Sequence, residues 1–164
     1  MKPRPRKKPE FSLVRHDKPM EMLVKETDQR TLAAWAIDCA ERVLPFFEEK
    51  FPEDPRPRDA LATLRAWIAD GEFHMAVIRS ASLASHAAAR DASEESPARS
   101  AARAAGQAVA TAHVPSHSLG AAIYAQQAVW RAAALSEADA AVTGERDWQY
   151  RHLLVLSGRE KPGP

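Results

Sequence analysis

The 164-residue chain is 45% apolar and 27% charged, with a net charge of +1. That length and balance suit one compact domain with a real core, and they exclude wholesale disorder. No apolar run approaches the roughly 18–20 residues that a membrane-spanning helix needs, the basic N-terminus lacks the apolar stretch of a secretory signal, and the single cysteine, Cys39, fits a reducing compartment, so a cytoplasmic location is expected.

Residues 1–26 read as a basic, proline-containing arm. Residues 1–27 hold eight Lys/Arg against four Asp/Glu, whereas the remainder holds fifteen against eighteen. A mildly acidic body does not suit a broad nucleic-acid interface. No helix-turn-helix with a basic recognition helix is present, so nucleic acid is not an expected partner. The run Lys2-Pro3-Arg4-Pro5-Arg6-Lys7-Lys8 reads as a solvated tail. Phe11 to Val14 fits either a short strand or an extended docking segment.

Helical patterning opens at Asp28, a favourable cap. Leu32, Ala36, Cys39, Val43 and Phe46/Phe47 then fall on one stripe. Pro45 lies within that stripe and clashes with the carbonyl of Glu41, which predicts a kink or break. Phe51 to Pro57 is a stiff, proline-rich connection. A second helix is expected from about Pro57 to Gly71, burying Leu61, Leu64, Trp67 and Ile68. A third runs from about Glu72 to Ala92, with Phe73, Val77, Ala84 and Ala88 inward. Ser96-Pro97 caps a fourth that reaches about Ala112. The fifth spans about Pro115 to Ala134, anchored by Leu119, Ile123 and Trp130. Ser136 and Asp139 form a capping-box pattern for a sixth, which reaches about Leu154, with Gly144 a point of interruption. The expected fold is therefore all-α: a single-domain bundle of about five to six helices over residues 27–156, followed by a disordered tail at 157–164.

Residues 81–134 are dense in Ala with scattered Ser and Gly. Alanine favours helix because it loses no side-chain entropy, and small side chains let helix axes approach closely. Polar groups stand out against this background. On the third helix Arg79, His86 and Arg90 share one side, a stripe that could receive a carboxylate or phosphate; a solvated outer face is the alternative. His113 and His117 are four apart, a spacing that can place two imidazoles on one metal. Pro115 between them opposes a straight helix and makes the pair a helix corner, with His86 available as a third ligand. A divalent metal held by His86, His113 and His117 is thus the one cofactor the residues suggest, and a metal-dependent helical-bundle enzyme the catalytic alternative. Cys39 sits mid-stripe as a small core residue. Asp38 stands four before Arg42, the spacing of a surface pair. In the connection, Asp54, Arg56 and Arg58 alternate with prolines, a stiff and polar loop suited to recognition or to helix capping. No phosphate-binding glycine loop, dinucleotide fingerprint or nucleophile elbow occurs.

Several of these stretches in order resemble a bacterial family of immunity proteins, the immunity-five-like domain. They are Asp28 to Glu48, Pro52 to Arg58, Arg65-Ala66-Trp67, Ser85 to Arg90, Ala110 to His117 and Gly120 to Ala125, and the likeness covers roughly residues 27–135. The resemblance implies an all-helical, non-catalytic protein that binds and neutralises a cognate toxin, and a homodimer is compatible with it. It brings forward Asp38, Cys39, Asp54, Arg56, Arg58, Arg79, His86, Arg90, His113 and His117, none with an assigned catalytic role. The mildly acidic body would complement a basic nuclease toxin.

Overall fold

The structure is a computed structural model that describes residues 1, 3, 10–13 and 17–164. Over these residues it contains seven helices and no strand: α1 (Lys18–Lys25), α2 (Gln29–Glu48), α3 (Arg56–Asp70), α4 (Met75–Asp91), α5 (Pro97–Ala110), α6 (His117–Ala132) and α7 (Ala138–Leu156). Residues 2, 4–9 and 14–16 of the expected arm, which include nearly all of the basic run and Val14 of the Phe11–Val14 segment, lie outside the described residues. Phe11 itself packs on Trp130, with ring centroids 6.0 Å apart.

The all-helical expectation holds, with one helix more than the five to six anticipated. The addition is α1. Asp17 caps it, accepting from the Met20 amide at 3.3 Å, and Pro19 occupies the first turn, where its missing N–H costs nothing. Met20, Leu23 and Val24 are buried. An eight-residue helix with three apolar contacts carries too little periodicity to stand out in sequence, and it is stable only through that packing.

Helix α2 is the axis of the bundle. Asp28 caps it through the Thr31 amide at 2.9 Å. Its buried residues exceed the expected stripe and include Ala33, Trp35, Ile37, Ala40 and Leu44, because α3, α5, α6 and α7 all pack around it. The break expected at Pro45 does not occur: α2 continues to Glu48. Pro45 is exposed, while Val43, Leu44 and Phe47 around it are fully buried. Each such side chain contributes about 1.5–3 kcal/mol, which together outweigh the roughly 3 kcal/mol cost of an interior proline.

Gly71, at φ +70°, ends α3 with its N–H on the Trp67 carbonyl at 2.8 Å. Helix α4 then starts three residues later than expected, at Met75, and its inner face is rotated. Ile78, Ser85, Ala88 and Ala89 are buried, whereas Phe73 and Val77 are 43% and 54% exposed. The cause is the neighbour. Helix α5 buries six alanines and Gly106, so α4 comes close enough for the Ser82 hydroxyl to donate to the Gly106 carbonyl at 2.9 Å and the Ser85 hydroxyl to the Ala102 carbonyl at 2.7 Å. An interface that tight has no room for Phe or Val.

Two further details differ from expectation. Glu137, not Ser136, is the N-cap of α7, and no side chain caps it; the helix also runs uninterrupted through Gly144. A buried polar chain stitches α2, α6 and α7 together. The Trp35 indole N–H donates to the Gln149 carbonyl at 2.9 Å, the Gln149 side chain donates to the Ala122 carbonyl at 3.0 Å, and Gln126 donates to Gln149 Oε1 at 2.9 Å. After α7, Gly158 turns at φ +74° and Arg159 pairs with Glu26 at 2.7 Å.

The closeness of α5 to its neighbours makes a direct prediction. Ala105→Leu, at a fully buried position, should lower stability by about 1–3 kcal/mol through overpacking. Ala76→Leu, on an exposed turn of α4, should stay within about 0.5 kcal/mol. Urea denaturation midpoints of the two variants measure the difference.

Candidate functional site: a basic trough along α5

Helices α4 and α6 flank the outward side of α5. Arg99, Arg103 and Gln107 follow one another at helical spacing along that side, each half-buried between the two walls. His86 and Arg90 come from α4, and His117, Tyr124 and Arg131 from α6. Arg103 donates through one terminal nitrogen to His86 Nδ1 at 2.9 Å. A guanidinium has no acceptor, so Nδ1 is unprotonated and the imidazole proton sits on Nε2. His117 Nδ1 lies 2.8 Å from Gln107 Oε1; with the amide oxygen facing it, that nitrogen carries the proton.

Two glycines make these contacts possible. A Cβ at Gly106 would come within 2.8–3.0 Å of three atoms of the His86 ring, and one at Gly120 within 2.6 Å of Gln107 Oε1. Neither glycine has a positive φ, so close approach is what each supplies.

The electrostatics are one-sided. Among the described residues, Arg42, Arg56, Arg58, Arg65, Arg146 and Arg159 each hold a carboxylate. No carboxylate among the described residues lies within ion-pair distance of Arg90, Arg99 or Arg103. Burial pushes Arg103 below the ordinary guanidinium range, Tyr124 opposes it, and Arg99 and then Arg90 add to the lowering. Burial likewise holds His86 down to about 4, with Arg103, Arg90 and His117 adding to it. His117 is lowered by burial and by His113. Arg131 donates to the Ser100 hydroxyl at 2.9 Å, and Glu95 is the acidic group near that end.

The residues singled out from sequence divide among several places. His86 and His117 meet in this trough, and Arg90 borders it. Arg79 is exposed nearer the start of α4. His113 lies in the turn between α5 and α6, its ring 6.2 Å from that of Phe73, so Pro115 does mark a corner. Among the described residues, no three His, Cys, Asp or Glu side chains are placed to hold one metal ion. Asp54 and Arg56 clasp each other, and Arg56 reaches on to Asp91 at 2.6 Å, tying the connection before α3 to the end of α4. Arg58 binds Glu48 at 2.6 Å.

Asp38 is paired differently from its spacing. Its partner is His152 of α7, at 2.7 Å, while Arg42 binds Glu145 through two bonds and lies 3.9 Å over the Trp148 ring. Cys39 is fully buried, and burial pushes its thiol well above the usual range, which makes it inert as a nucleophile. Sequence reasoning missed Arg99, Arg103, Gln107, Tyr124 and Arg131. The four-residue spacing of Arg99, Arg103 and Gln107 on an alanine helix was the available signal.

The depressed histidines have a stability consequence. Between pH 6.5 and about 4 the unfolded chain binds a proton at His86 that the folded chain does not. The stabilisation is complete above pH 6.5 and is lost as pH falls toward 4. Partial exposure reduces it to on the order of 1–2 kcal/mol. His86→Gln keeps an acceptor for Arg103 without titrating, so its thermal midpoint should fall less over that window. The lowered carboxyls of Asp17, Asp28 and Asp54 act below about pH 5 and overlap only the lower end of that window, equally in both proteins.

No curated protein and no solved structure matches the chain. The sequence model of one family does, across residues 22–155. That span takes in every helix contributing to the trough, and the chain belongs to the family described as Imm-5 like putative immunity protein.

Proposed function

We propose that the protein neutralises a cognate toxin by stoichiometric binding, without catalysis, and that the toxin sits on the outward surface around α4. Family membership supports the immunity role. The observation that carries the location is the exposure of Phe73, Met75, Val77 and Leu83 at 43%, 39%, 54% and 61%. Half of the large apolar side chains left exposed among the described residues fall in this one short stretch. Arg79 and Arg90 border it. Apolar side chains rimmed by arginine are the composition of a protein-binding surface.

The charge of this surface refines the partner. Glu41 and Glu48 of α2 and Glu145 of α7 are held by arginines away from α4, whereas the α4 surface carries Arg79 and Arg90, so net charge is a poor guide to the contact face. A toxin surface that is apolar at its centre and acidic at its edge complements α4 better than a basic one.

Co-purification with the toxin encoded beside it should give a 1:1 complex and protect cells that express the toxin. Leu83→Asp combined with Val77→Asp should weaken that complex by roughly 30-fold or more and abolish protection with an unchanged thermal midpoint. Leu135→Asp, on an exposed residue between α6 and α7, should leave both intact. Absence of a complex, or full protection by the α4 variant, overturns the reading. So does a doubling of mass in the isolated protein that the α4 variant removes, because a second copy would then be the occupant.

A further inference from the structure

We infer that the trough along α5 is a binding site for a phosphate group, received by Arg90, Arg99 and Arg103 and carried by inorganic phosphate, by pyrophosphate or by the phosphate end of a nucleotide. The inference does not rest on the toxin reading, which concerns the outward surface of α4.

The first ground is a contrast among the arginines of the described residues. Six arginines elsewhere hold carboxylates. Arg90, Arg99, Arg103 and Arg131 around the trough hold none, as do the exposed Arg30, Arg79 and Arg151, but in the trough they gather: Arg99 and Arg103 lie one turn apart on α5, and Arg90 lies one turn from His86, the partner of Arg103. Like charges gathered around a groove, with Arg99 and Arg103 half-buried and Arg90 exposed at its edge, destabilise the free protein, and a bound anion reverses that cost. The second ground is preorganisation. Arg103 is fixed at one nitrogen by His86 Nδ1, His86 is seated on Gly106, and the remaining guanidinium N–H groups are left to donate. The third ground is stoichiometry of charge. One guanidinium suffices for a carboxylate in a bidentate pair, whereas a phosphate offers more acceptor oxygens and up to two charges to several arginines. Glu95, near Arg131, makes that end the less favourable one for an anion, so the ligand belongs at the Arg90–Arg103 end.

Calorimetric titration of the full chain with phosphate, pyrophosphate and ATP, in a buffer free of other oxyanions, tests the site. Chloride at matched ionic strength is the control. Pyrophosphate should bind 1:1 and more tightly than phosphate. ATP tighter than pyrophosphate would point to a nucleotide, and equal affinity to the phosphate chain alone. Arg90→Gln and Arg99→Gln, neither of which holds an ion pair or lies in the core, should each weaken pyrophosphate about 10-fold, whereas Lys25→Gln on α1 should not. A second readout is the His86 imidazole signal. Its titration midpoint should move upward with pyrophosphate bound, because the anion offsets Arg90, Arg103 and the facing His117. No binding beyond chloride, equal affinity in the arginine variants, or a polyglutamate peptide binding as tightly as pyrophosphate overturns the proposal.

Discussion

The close approach of α2, α4 and α6 to α5 is the constraint on which the rest of this molecule depends. It is possible because α5 presents alanine and Gly106 to its neighbours. Such an interface gains little from any one side chain and much from contact along its length. It also selects what its neighbours may place against it: serines that donate to α5 carbonyls, alanines, and flat or flexible polar side chains over a glycine. The large apolar groups are pushed to other seams. Trp35, Leu32 and Leu153 fill the seam between α2 and α7, and Leu61, Leu64 and Phe47 that between α2 and α3.

The same geometry sorts charge. On the α2, α3 and α7 sides, side chains extend over wider spacings and find partners, as in the Arg42–Glu145 pair and the Asp54–Arg56–Asp91 clasp. Helix α5 carries no Asp or Glu, and His86, Gln107 and His117 provide neutral partners instead. Burial is the main reason the two histidines are held down, and the neighbouring positive charge adds to it. Unpaired positive charge therefore collects along α5, although the totals of acid and base nearly cancel.

Much of the fold was legible because its signals are local. Asp28, the Ser96-Pro97 pair and Gly71 mark helix ends by backbone chemistry that does not depend on tertiary context. Leu61, Leu64 and Trp67 identify a buried face because nothing polar competes at those positions. What failed was decided by neighbours. The inner face of α4 turned because α5 is so thin, Pro45 was tolerated because its surroundings bury so much, and Asp38 chose a histidine far along the chain over the nearby Arg42. The site was half visible for a related reason. His86 and Arg90 stand out on one helix, but Arg103 becomes part of the same feature only when α4 and α5 lie antiparallel and in contact.

The unpaired arginines also bear on how such a protein would respond to selection in the laboratory. A surface that carries an uncompensated local charge holds the fold below the stability it could reach. Enrichment for heat resistance alone would remove Arg90, Arg99 or Arg103 early, since neutral replacements relieve repulsion without disturbing the alanine interface beneath. Their persistence under such enrichment would indicate that the trough is occupied in the cell.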